Sequence, residues 1–177
     1  GESTERSGTL GRAEATALAS SVREAFPDLR YSVEETLAEP NKVATRWRAT
    51  GTHTRALFEI EPTGNEVTLS GMRIDHLTDG RLAESWSLFE QWSLLRQLEA
   101  TESATPVSTL SRVTPTPVVT QLSAPLENAE LVRREIADVW NDGRRDSLDQ
   151  LLGDDFVLYL DNDTDVRGRD AYFEFVR

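Results

Sequence analysis

The chain contains no cysteine, so disulfides, thiolate nucleophiles and cysteine-ligated metals are excluded. Histidine occurs only as His53 and His76, too few to build an ordinary zinc site, and no metal is expected. Positive charge is scarce: 19 Lys and Arg stand against 31 Asp and Glu, a formal charge of -12, and Lys42 is the single lysine. Such a surface repels a phosphate backbone, which removes nucleic acid from the expected partners. Long apolar runs are also missing. Nothing approaches the roughly 20 residues of a membrane-spanning helix, and the opening GESTERSG has no apolar signal core. The expectation is a soluble, cytoplasmic protein with no membrane partner, in which Gly1 suggests the remnant of a cleaved tag. A length of 177 residues fits one domain with its own core, or one domain plus a long linker.

What is present is periodic. Ala15, Leu18, Val22, Ala25 and Phe26 recur at helical spacing in residues 11 to 26, and Pro27 ends the pattern. YSVEETLAEP reads as a strand running into a turn. In KVATRWRATGTHT, Val43, Thr45, Trp47 and Ala49 alternate with Ala44, Arg46, Arg48 and Thr50, the period of a strand. Two further alternating runs flank Thr78-Asp79-Gly80, where Asp-Gly is a strong hairpin signal. A short helix around Gln91 to Leu98 closes this meander. From Thr101 to Pro125, six Thr, four Ser and four Pro fill 14 of 25 positions, the composition of a linker. Periodicity resumes with Asn128 as a plausible N-cap, then Val132, Ile136, Val139 and Trp140, and a stop at Asn141-Asp142-Gly143. A helix over Asp146 to Leu152, the strand FVLYL and a helix within GRDAYFEFVR complete the chain. The division is a tail at 1–10, a helix-plus-meander segment at 11–100, a linker at 101–126 and a helical segment with one strand at 127–177, the two segments forming one combined domain.

The run AFPDLRYSVEETLAEPNKVATRWRATGTHT, continued by PTGNEVTLSGMRIDHLTDGRLAESWSLFEQWSLLRQL, resembles the C-terminal two-thirds of SnoaL-like polyketide cyclases. ENAELVRREIADVWNDGRRDSLDQLLGDDFVLYLDNDTDVRGRDAYFEFV resembles their N-terminal third. The resemblance implies an α+β cone, a curved antiparallel sheet wrapped on helices around a pocket, as in nuclear transport factor and ketosteroid isomerase relatives. The two parts stand in reversed order, and the helix-opening pair Gly-Arg occurs twice, as Gly11-Arg12 and Gly168-Arg169. This is the pattern of a circularly permuted family member. The 25-residue linker is long enough to cross a small domain at about 3.3 Å per residue, or to let two chains exchange halves.

Alternation puts Ser85, Ser87 and Phe89 on one face of the last meander strand, with Glu84, Trp86 and Leu88 on the other. By resemblance the first set faces the cavity, the family's acid/base aspartate aligns with Ser87, and a frequent histidine aligns with Ser85. A serine hydroxyl has no basic form near neutral pH. Arg73 and Asp75 share a face of the neighbouring strand, and Asp75 is the remaining base candidate, with Arg73 to stabilise an enolate or bind a carboxylate. The alternative for this pair is a structural ion pair or a solvent-facing one. His53 is either at the pocket mouth or on the surface, and His76 has the parity of the outside. Trp47 and Trp140 serve as core, pocket wall or both, Tyr159 as a further pocket residue of undetermined face, and Leu158 as a dry position.

Two classes of function are compatible with these residues. One is a binding or dimerisation module for a small hydrophobic ligand, which keeps the fold after loss of its acid/base group. The other is a cofactor-free cyclase or isomerase that moves a proton on a polyketide-like carbonyl compound through Asp75 and Arg73. Met72, Ile74, Trp86 and Leu88 all alternate away from the pocket, and so large an apolar set predicts a homodimer through the outer sheet face.

Overall fold

A computed structural model describes residues 12–57, 59–99, 123–160 and 164–177. Helix α1, Arg12–Ala25, stops before Pro27, and a four-stranded antiparallel meander follows: β1, Arg30–Glu39, β2, Lys42–Thr52, β3, Glu66–Thr78, and β4, Arg81–Phe89. The β3–β4 turn is built on Asp79 and Gly80, both at positive φ of 51° and 71°, the backbone that the right-handed twist of a hairpin requires and that Asp-Gly accommodates. Helix α2 covers Gln91–Glu99. After the linker come α3, Ser123–Glu135, a π-helical turn at Ile136–Asn141, a 3₁₀ turn at Arg145–Ser147, α4, Leu148–Leu151, β5, Leu152–Leu160, β6, Thr164–Arg167, and α5, Arg169–Val176.

The six strands form one curved sheet in the order β1 to β6. The fold is α+β, as the sequence implies, with one local difference: β4 and β5 run parallel, while every other pair is antiparallel. Parallel neighbours need a long crossover. Here the crossover is the stretch from α2 through the linker and α3 to α4, so the parallel junction is where the two halves of the chain meet. Bulges at Val33/Glu35, His76/Leu77 and Leu82/Glu84 break the register and add bend to the strands that carry them.

Period-two alternation sorts the side chains into rows that cross the sheet. Inner rows run Val43, Asp75, Ser85, Leu158 and Thr45, Arg73, Ser87, Leu160, while an outer row runs Leu37, Ala44, Ile74, Trp86, Tyr159. The inner face packs into two apolar clusters. One joins Val43, Leu77 and Leu82 of the meander to Val132, Ile136, Leu151, Phe156 and Phe173 of the later segment. The second gathers Phe26, Leu29, Trp47, Leu57, Leu94 and Leu98. At about 1.5–3 kcal/mol per large apolar side chain fully buried, the first cluster binds the later segment to the meander.

Two expectations are corrected here. Asn128 is not a helix N-cap: α3 begins five residues earlier at Ser123, because Pro125 falls in the first turn, where a missing N–H costs little. Asn128 is instead a buried residue whose side-chain amide donates to the Pro40 carbonyl at 2.9 Å, tying α3 to the β1–β2 turn. The helical stripe also does not run uniformly to Trp140, since its last turn is π-helical. Of the linker expected at 101–126, residues 101–122 lie outside the described residues, as does the tail at 1–10, while 123–126 belong to the start of α3.

Candidate functional site

The parity of β3 turns Arg73 and Asp75 inward, and both are buried. Arg73 Nε lies 2.8 Å from Asp75 Oδ1 and 3.0 Å from Oδ2, while the Ser85 hydroxyl on the adjacent strand donates to Oδ1. Both oxygens of Asp75 are thereby engaged. The other side of the guanidinium meets a residue that the strand patterns do not single out: Arg73 Nη2 is 2.8 Å from Oε2 of Glu135, the last residue of α3. The contact is ionic, without hydrogen-bond alignment. Glu135 Oε1 accepts from Trp140 Nε1 at 2.9 Å and from the Tyr172 hydroxyl of α5. The indole N–H also points at the Tyr172 oxygen, 2.7 Å away.

The π-helical turn makes this assembly possible. In an α-helix, residues i and i+4 stack, whereas one extra residue in the turn brings i+5 over i. Glu135 and Trp140 are five apart and bonded. Just beyond, Asn141 clasps the edge strand: its Oδ1 accepts from Tyr31 N at 2.7 Å and its Nδ2 donates to Tyr31 O at 2.9 Å. This satisfies backbone groups that an edge strand would leave open.

Electrostatics follow from burial and from the shared guanidinium. Burial pushes the Glu135 carboxyl above the usual range, and the nearby Asp75 charge adds to this, while Arg73 and the Tyr172 hydroxyl act in opposition. Burial disfavours the charged form of Arg73, but two carboxylates outweigh it and hold the guanidinium firmly protonated. Burial, reinforced by Glu135, raises Tyr172 well above an ordinary phenol. Tyr31, buried nearby, is pushed up to about 12 by burial. Arg73 thus bridges two buried carboxyls of different character, one clamped and one inclined to hold a proton.

An aromatic wall borders this cluster. Tyr31 packs on Trp47 with ring centroids 5.3 Å apart and on Trp140 at 4.9 Å. Arg23 of α1 lies over both Tyr31 and Trp140 and donates to the Trp140 carbonyl at 2.7 Å. Trp47 reaches this place because Gly71 lies beneath it: a Cβ on Gly71 would come within 2.2 Å of the indole. Ser87 and Phe89 face inward and are half-buried.

Two sequence-derived site residues, Tyr159 and His53, stand elsewhere. Tyr159 stacks on Trp86 at 4.8 Å and 16°, and Trp86 is 40% exposed on the outer face. Tyr159 therefore belongs outside, because its register partner has the outward parity. His53 is neither a surface residue nor a neighbour of Asp75. It is buried against Phe26 at 5.2 Å in the second cluster, and Thr63 N–H donates to its Nδ1 at 3.2 Å. An accepting Nδ1 places the proton of the neutral ring on Nε2, and burial lowers its pKa. His76 has the predicted outer parity, against Trp86 and Glu84.

A cleft of about 350 Å³ opens between α1, the β2–β3 loop and α5, lined by Ser20, Arg23, Glu24, Arg55, Glu174 and Arg177. It is polar and does not include Asp75. Among the described residues no three His, Asp or Glu side chains converge as a metal site, and no helix is long and apolar enough to cross a membrane.

Sequence reasoning missed Glu135 and Tyr172. The signal for the first was present: Glu135 lies within the apolar arc of Val132, Ile136 and Val139, where an unpaired acid is costly. Nothing local indicated Tyr172 as its partner.

The structure is thus an α+β fold whose curved six-stranded sheet carries a few polar groups among aromatics on its inner face. A family model described as SnoaL-like polyketide cyclase matches residues 2–98, more than half of the chain, and the chain belongs to that family. Among solved structures it is similar to AclR from Streptomyces galilaeus, at 31% identity over 49% of this chain and 65% of that one, with a TM-score of 0.44. It is also similar to IdmH from Streptomyces antibioticus, at 29% identity over 45% of this chain and 57% of that one, with a TM-score of 0.43. The chain thus spans less than two-thirds of the length of either. No curated protein matches.

Proposed function

We propose that this SnoaL-like chain is a small-molecule-pocket protein that has lost the family's usual acid/base aspartate at Ser87, and that it works without cofactor or metal as a binding or dimerisation module for a small hydrophobic ligand. The observation that carries this reading is the state of Asp75. It is the inward carboxylate of the meander, and Arg73 and Ser85 occupy both of its oxygens, so it is poorly placed to take a proton from a substrate. Trp47, Tyr31 and Trp140 supply the apolar wall that a hydrophobic ligand needs. Native mass spectrometry of the purified chain, followed by extraction and titration with bicyclic aromatic ketones, tests the reading. A retained or titratable apolar ligand is expected, and failure to retain or bind any apolar compound overturns it.

A second reading, proton transfer on a carbonyl compound, is favoured by the raised carboxyl of Glu135 beside Arg73. Two structural proposals accompany these readings. Circular permutation is supported by the parallel β4–β5 junction, where a strand from the end of the chain extends a meander from its beginning. A homodimer through the outer sheet face is supported by Met72, Ile74, Trp86 and Leu88, which are 40–57% exposed.

A further inference from the structure

The cleft between α1, the β2–β3 loop and α5 is lined by residues that the inner-face cluster does not use. On α1, Ser20, Arg23 and Glu24 stand at i, i+3 and i+4 and so share one face of the helix. Glu174 of α5 and Arg177, just beyond its last residue, are three apart and line the cleft from the other side. Arg55 comes from the loop, where the Thr54 and Arg55 N–H groups both donate to the Ala25 carbonyl, at 3.0 and 3.4 Å. That contact ties Arg55 to the end of α1, and it satisfies part of the negative end of that helix without help from Arg23. Elsewhere in this acidic chain arginine finds carboxylates: Arg46 pairs with Glu34 and Glu35, Arg144 with Asp138 and Asp142, and Arg169 with Asp149 and Asp154. Arg23, Arg55 and Arg177 make no ion pair among the described residues, although Glu24 and Glu174 line the same cleft. Arg23 is held in place all the same. Its guanidinium lies 5.8 Å from the Tyr31 ring centroid and 6.0 Å from that of Trp140, and it spends one of its five N–H donors on the Trp140 carbonyl. Burial, with a smaller contribution from Arg30, disfavours its charge against the pull of the Tyr31 and Tyr172 hydroxyls. A half-buried cation thus lines the cleft with donors to spare and no anion beside it.

We propose that this cleft binds a small hydroxycarboxylic acid, with Arg23 and Arg55 on its carboxylate and Glu24 and Glu174 accepting from its hydroxyl groups. The forked N–H groups of arginine match the two coplanar oxygens of a carboxylate. Three arginines against two glutamates leave the cleft a formal charge of +1, which suits a single negative charge. The chain's net charge of -12 works against a more highly charged anion such as phosphate. A bare anion would leave the two glutamates only repelled, whereas hydroxyls on the same molecule give them donors. The volume of about 350 Å³ is that of a site for a small molecule. Asp75 is not part of the lining, so this site stands or falls apart from the hydrophobic-ligand reading of the inner face.

The test uses gluconate as probe and sorbitol, which carries the hydroxyls without the carboxylate, as control. In low-salt buffer, titration of the isotope-labelled full chain with gluconate should shift the backbone amide NMR signals of α1, of the loop at 53–57 and of α5, and the shifts should saturate. Sorbitol should leave them in place. Arg55 is exposed, so Arg55→Gln should fold like the parent and weaken gluconate binding about tenfold, the scale of one hydrogen bond to a charged group. Arg23→Lys keeps the charge but loses the fork and should weaken binding in the same direction, with Arg55→Gln keeping the test informative if Arg23→Lys is unstable. Glu174→Gln makes the cleft more positive by one charge and removes a hydroxyl acceptor, so it should favour phosphate at the expense of gluconate. No saturable shift, an equal response to sorbitol, or an unchanged affinity in Arg55→Gln overturns the site. Phosphate binding to the parent chain as tightly as gluconate overturns its assignment to a hydroxycarboxylic acid.

Discussion

Glu135 is the residue on which most of the site's physics converges. Its carboxyl is raised in the folded state by burial, so the folded chain binds that proton more tightly than the unfolded chain does. By linkage, its contribution to stability is complete below the ordinary carboxyl pKa of about 4.3 and is lost as pH rises through the raised value. Removing the titratable group while keeping its shape should therefore flatten this part of the profile. Urea midpoints of the parent chain are expected to fall as pH rises through that window, and those of Glu135→Gln to fall less. Equal slopes in the two proteins would contradict the assignment. Asp75, which the strand pattern also brings inward, has a different role: it is the fixed counter-charge of Arg73, and removing one partner of such a buried pair is destabilising by about 3–5 kcal/mol.

Among the elements, β3 and the π-helical turn do the positioning. On β3, Gly71 leaves room for the Trp47 indole, whose ring occupies the space a Cβ would need. Gly71→Ala should both push Trp47 off its site and crowd the Leu88 carbonyl of β4, which a Cβ would meet at 2.5 Å, at a cost of about 1–3 kcal/mol or more, and disturb the Trp47–Tyr31–Trp140 wall. Near-ultraviolet circular dichroism should change with the loss of stability, and an unaltered spectrum with full stability would contradict the close approach of Trp47 and the Leu88 carbonyl to Gly71. The π-helical turn explains why helical periodicity was a partial guide. Val132, Ile136 and Val139 lie on the buried stripe as the spacing predicts, yet Trp140 is bonded one residue further from Glu135 than an α-helix allows. Such an insertion is stabilised by contacts outside the helix, here Asn141 on the β1 edge and Tyr172 from α5.

For the whole molecule, the outer sheet face is the feature still to be accounted for. Leu37, Ile74 and Trp86 share one cross-sheet row, with Met72 and Leu88 in the next, and their exposures of 40–67% leave a continuous apolar band. A band of this kind on a chain of net charge -12 survives in water best when a second copy covers it. Sedimentation velocity at micromolar concentration should give a dimer, and Ile74→Glu with Trp86→Glu should give a folded monomer. A monomeric parent chain would dispose of the sheet-face dimer.

Much of this architecture was legible in the sequence, for a reason specific to strands. A period of two assigns the side chains of β2, of β3 and of β4 beyond its bulge to one of two faces, while the register that pairs Asp75 with Ser85 and Arg73 with Ser87 is set by the bulge at His76/Leu77 and not by the Asp79-Gly80 turn alone. The inward set Arg73, Asp75, Ser85 and Ser87 and the outward set Met72, Ile74, Trp86 and Leu88 could therefore be read from pattern alone. The strand FVLYL had no such anchor. Its partner is a parallel strand some seventy positions earlier, so the outward placement of Tyr159 depended on a contact that no local rule contains. The same holds for His53, buried by a loop that folds back through Thr63. Composition and alternation determined the class of fold and the two faces of its sheet. Tertiary structure decided which buried charges share a guanidinium, because the meeting of Arg73, Glu135 and Tyr172 depends on how α3 and α5 pack across the sheet, and packing energy is a property of the assembled core rather than of any segment.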